Sequence, residues 1–154
     1  MSVRTRRRPG VATRRAGSAP PGAPEVEAAL RALRAGSMVV VVDDEDRENE
    51  GDFVMAAEKT TAADVNFLTR DARGLLCVSM PGSRLEELGL ALMTPLNTAR
   101  FSTPFTVSVD LLRGTTSGSS AQDRAVTIRA LASARTRPEE LARPGPGSWR
   151  SALP

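Results

Sequence analysis

Seven carboxylates fall within the ten residues "DDEDRENEGD", Asp43 to Asp52, directly behind the apolar run "MVVVV". Like charges this close repel, so either something compensates them or the segment stands in water. A cluster of carboxylate oxygens at the mouth of a buried strand suits a hard cation. Mg²⁺ takes oxygen ligands, keeps several waters, and binds through one or two carboxylates plus substrate. Arg47 sits inside the run, where a guanidinium can fork onto a carboxylate or a phosphate. If the segment is extended, Glu48, Glu50 and Asp52 face one side, while Arg47 and Asn49 face the other. Gly51 reads as the place where the backbone turns or admits a ligand. A solvated acidic hairpin that keeps a sheet edge soluble fits the same residues.

The rest of the composition narrows the chemistry. The chain of 154 residues has no histidine, which excludes a Ser-His-Asp triad, a histidine base and a histidine metal ligand within it. Its one cysteine, Cys77, cannot form an intrachain disulfide, in keeping with a reducing, cytoplasmic setting. Aromatic residues are 3% and tyrosine is absent, so the core is built from Val, Leu, Ala and Met. No apolar run is long enough to span a bilayer, so no membrane partner is expected. The net charge of +3 hides an asymmetry: residues 1–24 carry arginines and no acid, and the remainder is mildly acidic. The tail reads as disordered residues 1–23. A transit peptide and a nucleic-acid-binding arm are other readings of its composition. Nucleic acid is not expected as a partner of the folded part.

Local signals supply the elements that must position these groups. "APEVEAALRALRAGS" predicts a helix near 24–35, with Pro24 in the first turn, acids at its positive end, Gly36 as its stop, and a stripe of Val26, Leu30 and Leu33. "SMVVVVD" predicts a buried strand at 38–42, and "DFVMAAE" a second at 52–57. Thr61 with Asp64 opens a helix over 61–72 that ends at Gly74. "LLCVSM" (75–80) and "FTVSVD" (105–110) read as strands, "SRLEELG" as a short helix, and "SAQDRAVTIRALA" as a helix over 120–132. The implied architecture is α/β (α+β): a mixed sheet with packed helices, in one domain over 24–145. Residues 1–22 and 146–154 are expected to be irregular.

The order of residues in "DDEDRENEGD" is more particular than a charge run. Together with "RGLLCVSM" (73–80), "TPFTVSVD" (103–110) and "RGTTSGSSAQDRAVTIRALA" (113–132), it resembles the 3,4-dihydroxy-2-butanone 4-phosphate synthases of riboflavin biosynthesis. That resemblance implies conversion of D-ribulose 5-phosphate to 3,4-dihydroxy-2-butanone 4-phosphate and formate by a homodimer using Mg²⁺ or Mn²⁺. By the same resemblance Glu48 is a metal ligand, Arg47 and Glu48 contact the sugar phosphate, and Asp52 binds its hydroxyls. Glu50 is a second acid–base or outer carboxylate. Cys77 lies near the substrate, although a small buried hydrophobe is an equal reading of that residue. Thr115 and Thr116 match a Thr pair of the substrate loop. Their Gly/Ser/Thr segment leads into a helix N-terminus, where N–H groups favour anions. An ordinary capping loop, with Ser120 as cap and Asp123 three residues on, fits as well.

The chain also departs from this pattern. The family continues past "RPG" with a histidine-bearing segment and a later Gly-His-Thr-Glu-type motif that supplies a second metal ligand. Here Pro146 follows, and "PGSWRSALP" has no counterpart. The expectation is therefore a domain incomplete at its C-terminus, as after a frameshift or truncation. The alternative function is an inactive fragment that at most dimerises or binds sugar phosphate.

Overall fold

A computed structural model describes residues 2–5, 24–46 and 48–145, and of residues 2–5 only the backbone. The chain divides into two compact units, residues 1–59 and 60–154.

In the first unit, β1 (Ser2–Thr5), β2 (Val39–Val42) and β3 (Gly51–Val54) form an antiparallel sheet in that order. Val42 lies opposite Ser2 on one side and Gly51 on the other, and Val40 lies opposite Phe53. Four consecutive valines make β2 a strand with few competitors, because β-branched side chains suit the pleat and restrict helix rotamers. Helix α1 (Pro24–Arg34) carries Glu25 and Glu27 in its first turn and Arg31 and Arg34 in its last, each matching the sign of the helix dipole there. It closes at Gly36, where φ is +80°, and the N–H groups of Gly36 and Ser37 donate to Leu33 O and Ala32 O at 2.9 and 2.8 Å.

The second unit contains α2 (Ala62–Phe67), extended by a wider turn over Leu68–Ala72, then α3 (Gly82–Glu87) and α4 (Ala121–Ala132). A short antiparallel pair joins β4 (Asp110–Leu111) to β5 (Leu141–Ala142). Helix α4 packs on α2 and on β4. Val65, Leu68, Leu85, Leu88, Ala125, Ile128, Leu131 and Leu141 are buried. Arginines stitch the periphery to backbone carbonyls. Arg129 donates to Thr60 O at 2.6 Å, and Arg84 donates to Ser133 O and Thr136 O beyond the C-terminal end of α4. Thr61 and Asp64 form the expected capping box: Asp64 N–H donates to the Thr61 hydroxyl, and Thr61 N–H donates to the Asp64 carboxylate.

The mixed α/β architecture and the four helices agree with the sequence expectation. Several details differ. Ser2–Thr5 is a strand, where residues 1–22 were expected to be irregular, because β2 offers it an unpaired edge. Residues 6–23 and 146–154 lie outside the described residues. β3 ends at Val54, and Ala57–Lys59 forms a 3₁₀ turn in place of a strand running to 57. No strand runs over 75–80: Cys77 makes one isolated bridge. Even so, Val78 and Met80 are buried and Ser79 is exposed, as an extended segment alternates.

The expected 105–110 strand is broken for a visible reason. Its backbone bonds go piecewise to two neighbours. Phe105 O accepts from Met93 N–H, and Val107 N–H donates to Ala91 O. On the other side, Ser108 O accepts from Gly145 N–H, and Leu112 N–H donates to Glu140 O. In α1, Ala29 is buried while Val26 and Leu30 are exposed, so the expected stripe is rotated away from the core. Arg73, with φ +57°, is the left-handed residue that ends the turn after α2, in place of the adjacent Gly74.

One buried polar contact sets β4 on α4. Leu111 N–H donates to Thr127 Oγ1 at 3.1 Å, and Thr127 is fully buried. Thr127→Val preserves shape and strands that N–H. Thermal or urea unfolding is expected to register a loss of about 1–3 kcal/mol. A neutral substitution would show that the bond does not anchor β4.

Candidate functional site

The acidic run forms the connection between β2 and β3. The ladder extends one step past the strands, with Asp43 N–H donating to Glu50 O at 3.0 Å. The Asp43 carboxylate then organises the loop from inside: Oδ1 accepts from Asp44 N–H at 2.9 Å and Oδ2 from Glu48 N–H at 3.4 Å. One of the seven carboxylates is thereby spent on the loop's own backbone, as Asp commonly is in turns. Asn49 takes the left-handed conformation, φ +51°, which Asn tolerates better than most residues.

This corrects two expectations. The segment is not extended from 48 to 52, because Asn49 is left-handed, so alternation does not align Glu48 with Glu50. The residue that makes the turn is Asn49, and Gly51 sits in β3, where an added Cβ would meet only ordinary contacts with Val40 and Val42. Glu48 is half-buried, and Glu50 and Asp52 are exposed. Arg47 lies outside the described residues. Among the described residues no three His, Cys, Asp or Glu side chains gather as a ready metal cage. The donor set still fits a hard divalent ion held through a single carboxylate and water. It does not fit a site that needs soft or imidazole ligands.

The remaining candidates belong to the second unit. Cys77 is half-buried and forms no disulfide. Thr115 and Thr116 sit in the loop between β4 and α4, and their hydroxyls point into the protein's own framework. Thr115 Oγ1 donates to Leu111 O, and Thr116 Oγ1 donates to Asp123 Oδ2 at 2.8 Å. Gly118 N–H reaches the same carboxylate oxygen at 3.2 Å, and Ser120 caps the helix by accepting from Asp123 N–H at 3.0 Å. Asp123 is buried. The Thr116 hydroxyl foremost holds its carboxyl below the usual value of 3.8. Burial pushes the other way, and the Thr116 N–H, the Ser120 hydroxyl and the Gly118 N–H add to the lowering. Of the two readings of this loop, the capping one is therefore present. Its donors converge on a carboxylate supplied by the helix itself.

Two residues behind the loop escaped the sequence reading. Asp110, at the start of β4, is buried. Gly118, φ +75°, presses its backbone so close to Asp110 that a Cβ there would lie 2.2 Å from Oδ2. The clue was an acid closing the apolar alternation "FTVSVD", followed within eight residues by a Gly between serines.

The family model for 3,4-dihydroxy-2-butanone 4-phosphate synthase matches residues 27–146, a stretch that runs through both compact units. A 3,4-dihydroxy-2-butanone 4-phosphate synthase of Agrobacterium fabrum (strain C58 / ATCC 33970) is 54% identical over 121 residues, covering 79% of this chain and 57% of the relative. A riboflavin biosynthesis protein RibBA of Cytophaga hutchinsonii is 55% identical over 118 residues, covering 76% of this chain and 29% of its own length. Among solved structures, a 3,4-dihydroxy-2-butanone 4-phosphate synthase in complex with two magnesium ions superposes with a TM-score of 0.80 at 36% identity, covering 84% of this chain and 59% of that one. The chain thus spans little more than half the length of the relative from Agrobacterium.

Asp123 makes stability depend on pH in a defined direction. Its carboxyl is more acidic folded than unfolded, so its contribution is complete above pH 3.8 and drains away as the pH falls through the folded value. Asp123→Asn is expected to be less stable than wild type at pH 7 in urea unfolding, with the gap closing in acid below pH 3.8. A gap that stays constant down to pH 2.5 would mean that the charge of Asp123 is not what the loop uses.

Proposed function

The chain belongs to the 3,4-dihydroxy-2-butanone 4-phosphate synthase family, and from that premise we propose that it acts on D-ribulose 5-phosphate, releasing formate and L-3,4-dihydroxy-2-butanone 4-phosphate for riboflavin biosynthesis. The observation that carries this reading is that the family match over residues 27–146 takes in both the acidic connection and the Thr115–Thr116 loop.

In this reading Glu48 holds Mg²⁺ or Mn²⁺, which when bound supplies positive charge for enolate-like oxygens of the sugar. Arg47 and Glu48 contact the sugar phosphate, and Asp52 binds its hydroxyls. Glu50 moves protons or acts as an outer carboxylate, and Cys77 is the second catalytic candidate. Thr115 and Thr116 bind the sugar. The exposure of Glu50 and Asp52 supports a site open to a small polar ligand. The protein works as a homodimer in the cytoplasm, in residues 24–145, with the arginine-rich residues 1–23 outside the domain. No helix among the described residues is long and apolar enough to cross a membrane.

A second reading rests on one observation: the 154 residues contain no histidine, while the chain spans 57% of the relative from Agrobacterium. In that reading the chain binds sugar phosphate without turning it over. The two are separated by incubating the purified chain with D-ribulose 5-phosphate and Mg²⁺ and measuring formate. We expect Mg²⁺-dependent release at least about tenfold slower than the Agrobacterium enzyme's, reflecting incomplete support of the metal, and its loss in Glu48→Ala. Formate release unchanged in Glu48→Ala would overturn the role of Glu48. Sugar-phosphate binding with no formate would establish the second reading.

A further inference from the structure

Donor and acceptor roles in the 111–123 loop are fixed by what each hydroxyl touches. A backbone carbonyl only accepts, and so does an ionised carboxylate. Thr115 Oγ1 lies against Leu111 O, so its proton must point there. Thr116 Oγ1 lies 2.8 Å from Asp123 Oδ2, so its proton must point there. The assignment follows from the chemistry of the partners and needs no observed hydrogen. What remains on each hydroxyl is lone-pair capacity, and Thr116 is exposed while Thr115 is half-buried.

Some backbone donors of the loop are committed as well. Gly118 N–H and Thr116 N–H both serve Asp123, and Asp123 N–H serves Ser120. Asp123 thereby occupies the place at the start of α4 that an anionic ligand would otherwise take. The two threonine hydroxyls have no proton left to donate to a phosphate, and they have lone pairs to offer to a polyol.

We propose that Asp123 is a positioning residue that sets the hydrogen-bond polarity of this loop, so that Thr115 and Thr116 accept from sugar hydroxyls and do not bind the phosphate. The inference rests on the reading above that these threonines meet the substrate, and it assigns which end of the substrate they meet. The carboxylate acts through Thr116 and touches no reacting atom. Its role is specificity for the hydroxylated end of a phosphorylated ketose.

The test compares three probes on the full chain by titration calorimetry or ligand-observed NMR: D-ribulose 5-phosphate, D-ribulose and inorganic phosphate. Thr116→Val is expected to weaken both sugars about five- to tenfold, the worth of one hydrogen bond, and to leave phosphate binding within about twofold. Thr116→Ser is expected to bind all three as wild type does. In Asp123→Asn the Thr116 proton is free to turn outward, so sugar binding weakens while phosphate binding holds or tightens. A merely damaged fold would lose both kinds of ligand together.

If Thr116→Val weakens phosphate as much as D-ribulose, the loop donates to phosphate and the inference is overturned while the substrate reading stands. If wild type binds phosphate and D-ribulose 5-phosphate but every variant matches it on all three probes, the threonines lie outside the substrate site. The inference then falls together with that part of the proposed function. Should Asp123→Asn fail to fold, Thr116→Val and Thr116→Ser decide the question between them.

Discussion

A carboxylate taken out of water must be given donors, and the loop ahead of α4 is arranged to meet that demand. Asp123 collects a threonine hydroxyl and backbone N–H groups from residues 116–118, five to seven positions earlier in the chain. Burial alone would favour the neutral acid; the donors outweigh it, so the charge is kept. Because the ring of bonds is short, it fixes the whole path from Leu111 to Ser120. Thr127, one turn further along α4, reaches the strand on the other side. The helix therefore holds both ends of the segment that carries the threonine pair. The precision of that segment is inherited from a rigid element, although the segment itself is irregular.

The acidic connection between β2 and β3 uses a related device at lower cost. Asp43 serves its own loop by accepting from Asp44 and Glu48, and the remaining acids stay in water or half in water. The repulsion expected of seven neighbouring carboxylates is met by exposure, and by placing one of them where N–H groups are orphaned. Among the described residues nothing preassembles a metal cage. A hydrated divalent ion fits such an open edge better than an ion that must be stripped of its water.

What the sequence disclosed divides along the range of the interaction. Capping by Thr61 with Asp64, and by Ser120 ahead of Asp123, spans three residues and was legible in the residue types alone. The helix stop at Gly36 was legible for the same reason. The strands at 75–80 and 105–110 were read from local pattern, in the second case alternating sides, but a ladder needs a partner that no local pattern supplies, and the backbone of 105–112 divides its bonds between residues 91–93 and 140–145. Gly51 reads in the sequence as a turn or as room for a ligand, because it lacks a side chain. Asn49 makes the turn, which shifted the faces of Glu48 and Glu50. The polarity of the threonine loop was out of reach, since it depends on a hydroxyl meeting a buried carboxylate seven residues on.

The close approach of Gly118 to Asp110 bears on how this chain can vary by descent. With φ +75° and a buried carboxylate 2.2 Å from where a Cβ would stand, position 118 has no neutral neighbour. Ser117 and Ser119 on either side are exposed and can drift. A side chain at 118 becomes admissible only in a lineage where 110 has already given up its carboxylate and the backbone has left the left-handed region. The two positions form a single hereditary unit, tied across eight residues by the absence of one carbon atom.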